Sequence, residues 1–195
     1  YTDGRRQIIQ GKKTMQKTIL ITGSTSGIGY ETAKMLVSQG HNVLLHGRNG
    51  TKLEEITQEL SDLANGGKIE SYLADISKMG EVETLAEAVM KNHNKLDVLI
   101  NNAGVFVVFE PTTDERLDVR FAVNTISPYL LTNKLLPLMD ATGRVINLSS
   151  AAQAPVDPKA ITGRVWLKND DMAYAQSKLA LTMWSREMAQ DLGGD

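Results

Sequence analysis

From Thr18 onward, short apolar runs rich in β-branched residues alternate with longer stretches in which apolar residues recur at helical spacing. This alternation predicts βαβ units and a parallel sheet covered by helices, and it constrains the fold more than any single motif. Strands are predicted near residues 18–22, 42–46, 68–74, 96–101 and 143–149, and helices near 27–39, 50–64, 79–93, 114–139 and 172–191. Gly40 and Gly66–Gly67 are predicted to stop helices, and Ser77, Asp114 and Asp171 to cap helix N-termini.

The composition suits one globular domain, since the chain has 195 residues, 42% hydrophobic content and a net charge of −2. No apolar run approaches the roughly 18 residues of a membrane span. We therefore expect no membrane span and a cytoplasmic location. The apolar run Val105–Phe109 is predicted to be a short buried strand or a core turn. The sequence has no cysteine and only three scattered histidines, so disulfides are excluded and no metal site is expected.

The first residues differ in charge from the rest of the chain. Residues 1–17 carry a net charge of +4, which leaves −6 for the remainder. Residue 1 is a tyrosine, whereas Met15 directly precedes the first predicted strand, so residues 1–14 are interpreted as a solvated tail or an expression remnant. Residues 15–195 are predicted to form a single domain. Because this part is acidic and has no basic stripe, we expect no binding of nucleic acid.

A glycine-rich turn follows the first predicted strand. The sequence Thr-Gly-Ser-Thr-Ser-Gly-Ile-Gly spans residues 22–29 and leads into an amphipathic helix. Glycines at such a turn let a pyrophosphate approach the helix N-terminus, where free N–H groups and the helix dipole favour negative charge. A tight connection without a ligand is the alternative, and the strand–turn–helix context disfavours it.

The end of the second predicted strand bears on which dinucleotide binds. A site for NAD usually has an acidic residue about 20 residues beyond the glycines, where it holds the ribose 2′-hydroxyl. This chain has His46-Gly47-Arg48-Asn49 instead. A cation without an acid suits a 2′-phosphate, so NADP(H) is favoured over NAD(H). The alternative is that Arg48 is a solvated arginine at a strand end.

Tyr174 and Lys178 lie four residues apart in a predicted helix. Positions i and i+4 share one helix face, so the ammonium of Lys178 is expected beside the phenol of Tyr174. A phenol has an unperturbed pKa of about 10, and a neighbouring cation favours its charged form. A half-buried helix tyrosine with no chemical role is the alternative for Tyr174 taken alone.

About 22 residues separate the fifth predicted strand from this helix, and they include Pro155, Pro158, Gly163 and Trp166. Long loops in compact domains are usually functional or disordered. Since this loop leaves the carboxyl end of a strand, where open α/β sheets bind ligands, it is predicted to face the substrate. Trp166 and Met172 are interpreted as packing residues in preference to substrate walls.

These motifs together resemble the short-chain dehydrogenases/reductases. The resemblance is carried by residues 22–29, Asp75-Ile76, Asn101-Asn102-Ala103-Gly104, Asn124, Ser150 and Tyr174-x-x-x-Lys178, and it runs from about residue 16 to the C-terminus. It implies a Rossmann-type doubly wound parallel sheet with strand order 3-2-1-4-5. The family's last two strands have no counterpart in this chain.

The resemblance also implies residue roles. Tyr174 would be the general acid/base, Lys178 would lower the pKa of the phenol and hold the nicotinamide ribose, and Ser150 would hydrogen-bond the substrate oxygen. Asn124 would position a water that connects Lys178 to solvent, or it is a polar core residue. Alternation along the strand says only that Ser149 and Ser150 point to opposite sides, while the family pattern favours Ser150.

The implied cofactor contacts cover four strand ends. Asp75 would accept from the adenine amino group, unless it is only a turn acid, and Asn101 would line the cleft and brace the central strand. The full predicted set is Gly23, Ser24, Ser26, Gly27, Ile28, Gly29, Arg48, Asn49, Asp75, Ile76, Asn101, Ala103, Gly104, Tyr174 and Lys178.

Ser150 and Tyr174 are 24 residues apart, which is longer than in most of the family, and the tyrosine motif ends in Gln-Ser-Lys-Leu-Ala. Both features are similar to the branch that contains the retinol dehydrogenases, whose members often act on bulky hydrophobic alcohols, aldehydes or ketones. That branch frequently has a histidine shortly after the serine, and Ala151-Ala152-Gln153 lacks it, which argues against retinoid specificity.

The leading hypothesis is an NADP(H)-dependent oxidoreductase that transfers a hydride between nicotinamide and a carbonyl or alcohol of a small, hydrophobic molecule. The alternative is a catalytically silent NADP(H)-binding regulator or interaction protein. Many family members assemble through the helices that correspond to 114–139 and 172–191, so a homodimer or homotetramer is also considered.

Overall fold

The computed structural model describes residues 15–193, so the predicted tail at 1–14 lies outside the described residues. Five strands form one parallel sheet with the order β3-β2-β1-β4-β5. The predicted doubly wound α/β fold and its strand order are therefore confirmed. The strands are β1 (Thr18–Ile21), β2 (Asn42–Gly47), β3 (Ile69–Leu73), β4 (Val98–Asn101) and β5 (Arg144–Asn147).

The helices follow the predicted alternation. They are α1 (Gly27–Ser38), α2 (Gly50–Asp62), α3 (Met79–Asn92), α4 (Val119–Phe121), α5 (Ser127–Leu135), α6 (Pro158–Ile161) and α7 (Asp170–Asp191). A π-helical turn (Ala122–Ile126) joins α4 to α5, and a 3₁₀ turn (Leu136–Leu138) follows α5.

Core residues pack on both faces of the sheet, and β1 contributes apolar side chains to each face. Leu20 packs with residues of α3 and α5, among them Val89 and Leu131. Ile19 and Ile21 point to the opposite face and belong to a second cluster that includes residues of α1 and α2. Side chains alternate between the faces of a strand, so burial on both faces gives the near-continuous apolar run seen in the sequence.

Several predicted helix ends differ from the observed ones. The N-caps predicted at Ser77, Asp114 and Asp171 are wrong, because the caps lie at Lys78, Asp118 and Asn169. Asp118 and Asn169 accept hydrogen bonds from backbone N–H groups of the first turn, as side-chain caps do. Gly40 follows α1 with φ +83° and stops it as predicted.

The helix predicted at 114–139 begins later and is not uniform. An isolated antiparallel bridge pairs Thr112 with Asp118, so the chain folds back before α4 starts at Val119. The π-helical turn over Ala122–Ile126 then interrupts the α-helix. Such turns are rare and occur frequently at functional sites, and this one contains Asn124.

The segment Val105–Phe109 is a loop after β4, so its prediction as a buried strand is wrong. Val105 and Val108 are half-buried and Val105 packs against the core, whereas Phe106, Val107 and Phe109 are exposed, so the segment is not a core turn either. Phe106 is 43% exposed and Val107 is 71% exposed. Trp166 and Met172 are also exposed, which contradicts their interpretation as packing residues. Across residues 15–193, no helix is both long enough and apolar enough to cross a membrane.

Candidate active site

Two glycines of the turn after β1 adopt positive φ angles. Gly23 has φ +65° and Gly27 has φ +56°, a region that side chains with a Cβ rarely enter. A Cβ on Gly23 would lie 2.9 Å from Cα of Ala103, and a Cβ on Gly29 would collide with the carbonyl oxygen of Gly23. The turn therefore requires glycine for conformation at Gly23 and Gly27, and for close packing at Gly23 and Gly29.

The turn is bonded to the end of β4. The hydroxyl oxygen of Thr22 accepts from the N–H groups of Asn102 and Ala103, each at 3.1 Å. The side-chain nitrogen of Asn102 donates to the carbonyl oxygens of Thr22, at 2.9 Å, and Gly23, at 3.0 Å. These four bonds fix the glycine turn against the loop that carries the predicted Ala103 and Gly104.

The N-terminus of α1 opens towards solvent at this turn. Ser26 is the N-cap, and its side chain makes no capping bond within the described part of the chain. Ser26, Gly27 and Ile28 are exposed. Free N–H groups at a helix N-terminus, together with the helix dipole, favour an anion such as a pyrophosphate. The residues present therefore fit a dinucleotide.

A cavity of about 350 Å³ lies over the carboxyl ends of β1, β2, β3 and β4. Nine of the predicted cofactor residues line it, namely Gly23, Ser26, Ile28, Gly29, Arg48, Asp75, Ile76, Ala103 and Gly104. Sequence reasoning missed seven further lining residues, namely Thr25, His46, Gly47, Ala74, Asn102, Val105 and Val123. Most of these lie within the predicted motifs or next to them in sequence. Including every residue of each motif and its flanking positions would therefore have found them.

Three predicted cofactor residues point their side chains elsewhere. The hydroxyl of Ser24 is buried and accepts from the N–H of His46 at 2.9 Å. Asn49 caps α2, and Asn101 is buried within the sheet layer. Asn101 donates to the Thr132 hydroxyl at 3.1 Å and to the Asn147 side-chain oxygen at 2.7 Å, which braces β4 against α5 and β5. Contact between these three side chains and a cofactor stays a prediction.

Asp75 combines two of the alternatives considered for it. One oxygen of its carboxylate accepts from the N–H of Ser77 at 3.0 Å and from the Ser77 hydroxyl at 2.8 Å, as in an Asx turn. Asp75 also lines the cavity. It is therefore a turn acid whose position is suitable for a ligand contact.

Lys178 is buried at the N-terminal half of α7, with 5% of its surface exposed. Its ammonium donates to the carbonyl oxygen of Leu148 at 2.7 Å and lies 5.8 Å from the ring centroid of Tyr174. Burial lowers the pKa of Lys178 from its usual value, because a low-dielectric environment disfavours the charged form. The predicted neighbourhood of Tyr174 and Lys178 on one helix face is thus observed.

Asn124 connects this helix to the loop after β4. Its side-chain nitrogen donates to the carbonyl oxygen of Val105 and, at 3.0 Å, to the Ser177 hydroxyl. A Cβ on Gly104 would lie 3.3 Å from Oδ1 of Asn124 and 3.4 Å from Nζ of Lys178. The fold therefore brings Asn124, Gly104 and Lys178 together, next to the cavity. None of the predicted catalytic residues lines the cavity itself, namely Asn124, Ser150, Tyr174 and Lys178.

The two serines after β5 have different environments. The Ser149 hydroxyl lies 2.6 Å from the hydroxyl of Thr182 and donates to the carbonyl oxygen of Lys178 at 3.3 Å, so it is engaged by α7. The Ser150 hydroxyl accepts from the N–H of Ala152 at 3.1 Å, and its hydrogen has no acceptor among residues 15–193. This difference favours Ser150 as a donor to a ligand.

The ring of Phe106 packs against the ring of Tyr174, with centroids 4.8 Å apart and planes tilted by 52°. The exposed loop after β4 therefore adjoins the candidate catalytic tyrosine.

A larger cavity of about 800 Å³ lies between β5 and the C-terminal half of α7, and no predicted site residue lines it. Within the described residues, no group of three histidine, aspartate or glutamate side chains could hold a metal ion.

The sheet, the glycine turn and the cavity at the strand ends define a Rossmann-type nucleotide-binding protein. The family model described as short chain dehydrogenase matches residues 17–195, so the chain belongs to this family. The family resemblance predicted from the motifs is confirmed.

Curated relatives include members of the predicted branch. The chain is 31% identical to human retinol dehydrogenase 13 over 182 residues, which cover 91% of this chain and 55% of that protein. It is 30% identical to human polyprenol dehydrogenase, covering 92% of this chain and 56% of that protein. The chain thus spans a little over half the length of these two relatives.

Solved structures share the fold. A metagenomic short-chain oxidoreductase in complex with NADP matches with a TM-score of 0.72 and 33% identity over 90% of this chain and 76% of that chain. The RhlG/NADP active-site complex from Pseudomonas aeruginosa matches with a TM-score of 0.73 and 27% identity, covering 92% of this chain and 69% of that chain.

Proposed function

We propose that the protein is an NADP(H)-dependent oxidoreductase that interconverts a carbonyl and an alcohol on a small, hydrophobic molecule. The observation that carries the proposal is the buried ammonium of Lys178, which lies 5.8 Å from the ring centroid of Tyr174. Burying a cation is costly, and a folded protein gains no evident stability from this one. Its position next to a tyrosine, and close to Gly104 at the wall of the cavity over the strand ends, supports a chemical role.

The nicotinamide, when bound, supplies or accepts the hydride at its C4 atom. Tyr174 donates a proton to the carbonyl oxygen during reduction and takes one from the alcohol during oxidation. Lys178 stabilises negative charge on the phenol oxygen, and Ser150 donates a hydrogen bond to the substrate oxygen, as a donor in an oxyanion hole does.

Arg48 supports the preference for NADP(H). It lies exposed at the cavity wall directly after β2, where an NAD site would carry an acid. A guanidinium there pairs with a 2′-phosphate, whereas an acidic residue would repel it. Two of the similar solved structures are complexes with NADP, which is in keeping with this preference.

The loop after β4 supports a hydrophobic substrate. The exposed ring of Phe106 packs against Tyr174, and Val107 and Phe109 are exposed in the same loop. Trp166 and Met172 expose further apolar surface before and at the start of α7. Grouped exposed apolar side chains mark sites of ligand or partner binding more often than isolated ones do.

Turnover tests the catalytic role directly. Purified full-length protein with NADPH and a panel of aliphatic and aromatic aldehydes and ketones should show loss of absorbance at the nicotinamide band. Tyr174→Phe should abolish this loss, while Tyr129→Phe, whose ring lies on α5 outside the cavity, should not. Equal turnover by Tyr174→Phe and the wild type would exclude the mechanism.

Cofactor preference has its own test. Arg48→Ala should weaken NADPH binding by at least about tenfold and leave NADH binding nearly unchanged, since the lost charge-assisted contact involves only the 2′-phosphate. Arg186→Ala removes an exposed arginine on α7 outside the cavity and serves as the control. Equal losses for the two cofactors contradict the proposed role of Arg48.

A homodimer or homotetramer is part of the proposal. Tyr129 and Met183 expose apolar surface on α5 and α7, and the rings of Tyr129 and Trp184 stack edge to face with centroids 5.4 Å apart. A second copy packed on this face would cover it. Light scattering measures the oligomeric state, and Met183→Glu should shift an oligomer towards the monomer.

The alternative function is a catalytically silent NADP(H)-binding regulator. Tight NADPH binding without turnover of any carbonyl would favour that alternative over an oxidoreductase.

A further inference from the structure

His46 is a buried histidine at the carboxyl end of β2, and both of its ring nitrogens are hydrogen-bonded. The N–H of Gly23 donates to Nδ1 at 3.1 Å, and Nε2 lies 3.1 Å from the carbonyl oxygen of Ala74. A carbonyl oxygen can only accept, and a backbone N–H can only donate. The bonds therefore assign the proton to Nε2 and leave Nδ1 as the acceptor.

The neutral imidazole is the form that suits this environment. The His46 side chain is 2% exposed, and burial lowers its pKa to about 4. A protonated ring would place a second N–H against the N–H of Gly23. Asp75 is the acidic residue that interacts with the ring, and its charge acts against the effect of burial.

The backbone of His46 adds two more bonds to the glycine turn. Its N–H donates to the hydroxyl of Ser24 at 2.9 Å, and its carbonyl oxygen accepts from the N–H of Ser24 at 2.9 Å. His46 thus contacts two consecutive residues of the turn, Gly23 and Ser24. No sequence motif indicates this connection, since Gly23 and His46 are separated by 23 positions.

Three cavity-lining segments meet at this ring. Gly23 belongs to the glycine turn, Arg48 follows His46 by two residues, and Asp75 directly follows Ala74. We propose that His46 is a positioning residue for the dinucleotide, which holds the glycine turn and the end of β3 at the spacing that the bound cofactor requires. The inference rests on the proposed function, because it concerns binding of the same cofactor.

Two amide variants separate the two ring bonds. In His46→Asn the side-chain oxygen can replace Nδ1 as the acceptor for Gly23, and in His46→Gln the side-chain nitrogen can replace Nε2 as the donor to Ala74. His46→Leu removes both bonds at similar volume. His41→Gln is the matched control, because His41 is also buried but accepts from the N–H of Lys17 at 3.2 Å, at the opposite end of β2.

NADPH affinity measured by calorimetry should fall by about tenfold for each amide variant and further for His46→Leu, since tenfold corresponds to loss of about one hydrogen bond. The Michaelis constant for NADPH should rise while turnover at saturating cofactor stays within about twofold, because binding and not chemistry is affected. His41→Gln should lower the melting temperature and leave NADPH affinity unchanged.

The tautomer gives a readout that needs no cofactor. Nitrogen NMR of the imidazole should show a protonated Nε2 and an unprotonated Nδ1 at neutral pH, and the reverse assignment would contradict the proposal. NADPH binding by His46→Leu that equals the wild type, or a loss in His41→Gln as large as that in His46→Gln, would overturn it. Failure of the wild type to bind NADPH would overturn the proposed function as well.

Discussion

Asn124 and Val105 exchange two hydrogen bonds. The side-chain oxygen of Asn124 accepts from the N–H of Val105 at 2.8 Å, and its side-chain nitrogen donates to the carbonyl oxygen of Val105 at 2.9 Å. The same nitrogen donates to the hydroxyl of Ser177, which itself donates to the carbonyl oxygen of Tyr174 at 2.7 Å. One buried amide therefore holds the loop after β4 and the helix of Tyr174 in a fixed relation. The proposed water relay through Asn124 stays a prediction.

Replacing Asn124 by alanine should lower both stability and activity. The change leaves the N–H and carbonyl of Val105 without their partner and removes one of the two hydrogen bonds of the Ser177 hydroxyl, which should cost about 2–3 kcal/mol of unfolding free energy. Turnover should fall by at least about tenfold, since loop and helix lose their alignment. Urea unfolding and NADPH oxidation measure the two effects.

Asn133→Ala is the control for this substitution, because among residues 15–193 the Asn133 side chain bonds only the carbonyl oxygen of Tyr129, on the exposed side of α5. Its unfolding free energy should change by no more than about 0.5 kcal/mol. If Asn124→Ala were as stable and active as Asn133→Ala, the aligning role would be refuted.

Lys178→Met should separate stability from function. The buried ammonium has a lowered pKa, which means that its surroundings disfavour the charge, so a methionine of similar length should fold with about the same stability, within about 1 kcal/mol. Turnover should fall by at least about 100-fold, because the charge beside Tyr174 is lost. Lys134→Met, which removes an exposed ion pair with Glu83, controls for the loss of a lysine. Retained turnover in Lys178→Met speaks against a chemical role.

His46 should make stability depend on pH. Its pKa is lowered from 6.5 to about 4 in the folded protein, so between these values the unfolded chain binds a proton that the folded chain does not. The contribution of His46 is therefore full above about pH 6.5 and is lost as the pH falls towards about 4. Comparison of urea unfolding at about pH 7 and pH 5 should show a loss of about 2 kcal/mol in the wild type beyond that in His46→Gln. Identical pH profiles for the two proteins would contradict this assignment.

Arg120 should be required for folding stability. It is 1% exposed and pairs with Asp118 through two bonds, at 2.9 and 2.8 Å, and with Asp170 at the first turn of α7. Arg120→Met leaves the Asp118 carboxylate buried without its cation, which should cost about 3–5 kcal/mol. Asp170→Asn should cost much less, because the Asp170 side chain is 49% exposed.

The double substitution Asp118→Asn with Arg120→Met provides the comparison. It removes both charges, so its loss in urea unfolding should be smaller than the sum of the two single losses. Additive losses would show that the two side chains do not stabilise each other as a pair.

Phe106 should influence the choice of substrate. Its exposed ring contacts Tyr174, so it is placed to bury the chain of a bound ketone. In a series of n-alkyl ketones, each methylene buried is worth about 0.8 kcal/mol, or about fourfold in kcat/KM. Phe106→Ala should reduce this dependence on chain length, whereas Leu63→Ala, an exposed position at the end of α2, should not. An unchanged dependence in Phe106→Ala would exclude the contact with substrate.

The boundaries that sequence reasoning missed share one physical cause. The start of α4 depends on the bridge between Thr112 and Asp118, and the π-helical turn holds Asn124, whose side chain bonds both α7 and the loop after β4. These contacts join segments distant in sequence, so local propensity carries no record of them. The Val105–Phe109 loop, which exposes Phe106, Val107 and Phe109, was predicted to be buried because apolar composition alone does not distinguish a core from an exposed surface.

Local patterns by themselves determined the succession of strands and helices along the chain, the glycine turn and the pairing of Tyr174 with Lys178. Hydrophobic period and i, i+4 spacing are properties of neighbouring residues, so the sequence records them. Only the tertiary structure decided that His46 bonds both the glycine turn and the end of β3, that Asn124 holds Val105, and that Ser149 and not Ser150 is engaged by α7. Each of these contacts joins residues that are distant in sequence and that the packing of strands, helices and loops brings together. No single segment of the chain therefore encodes them.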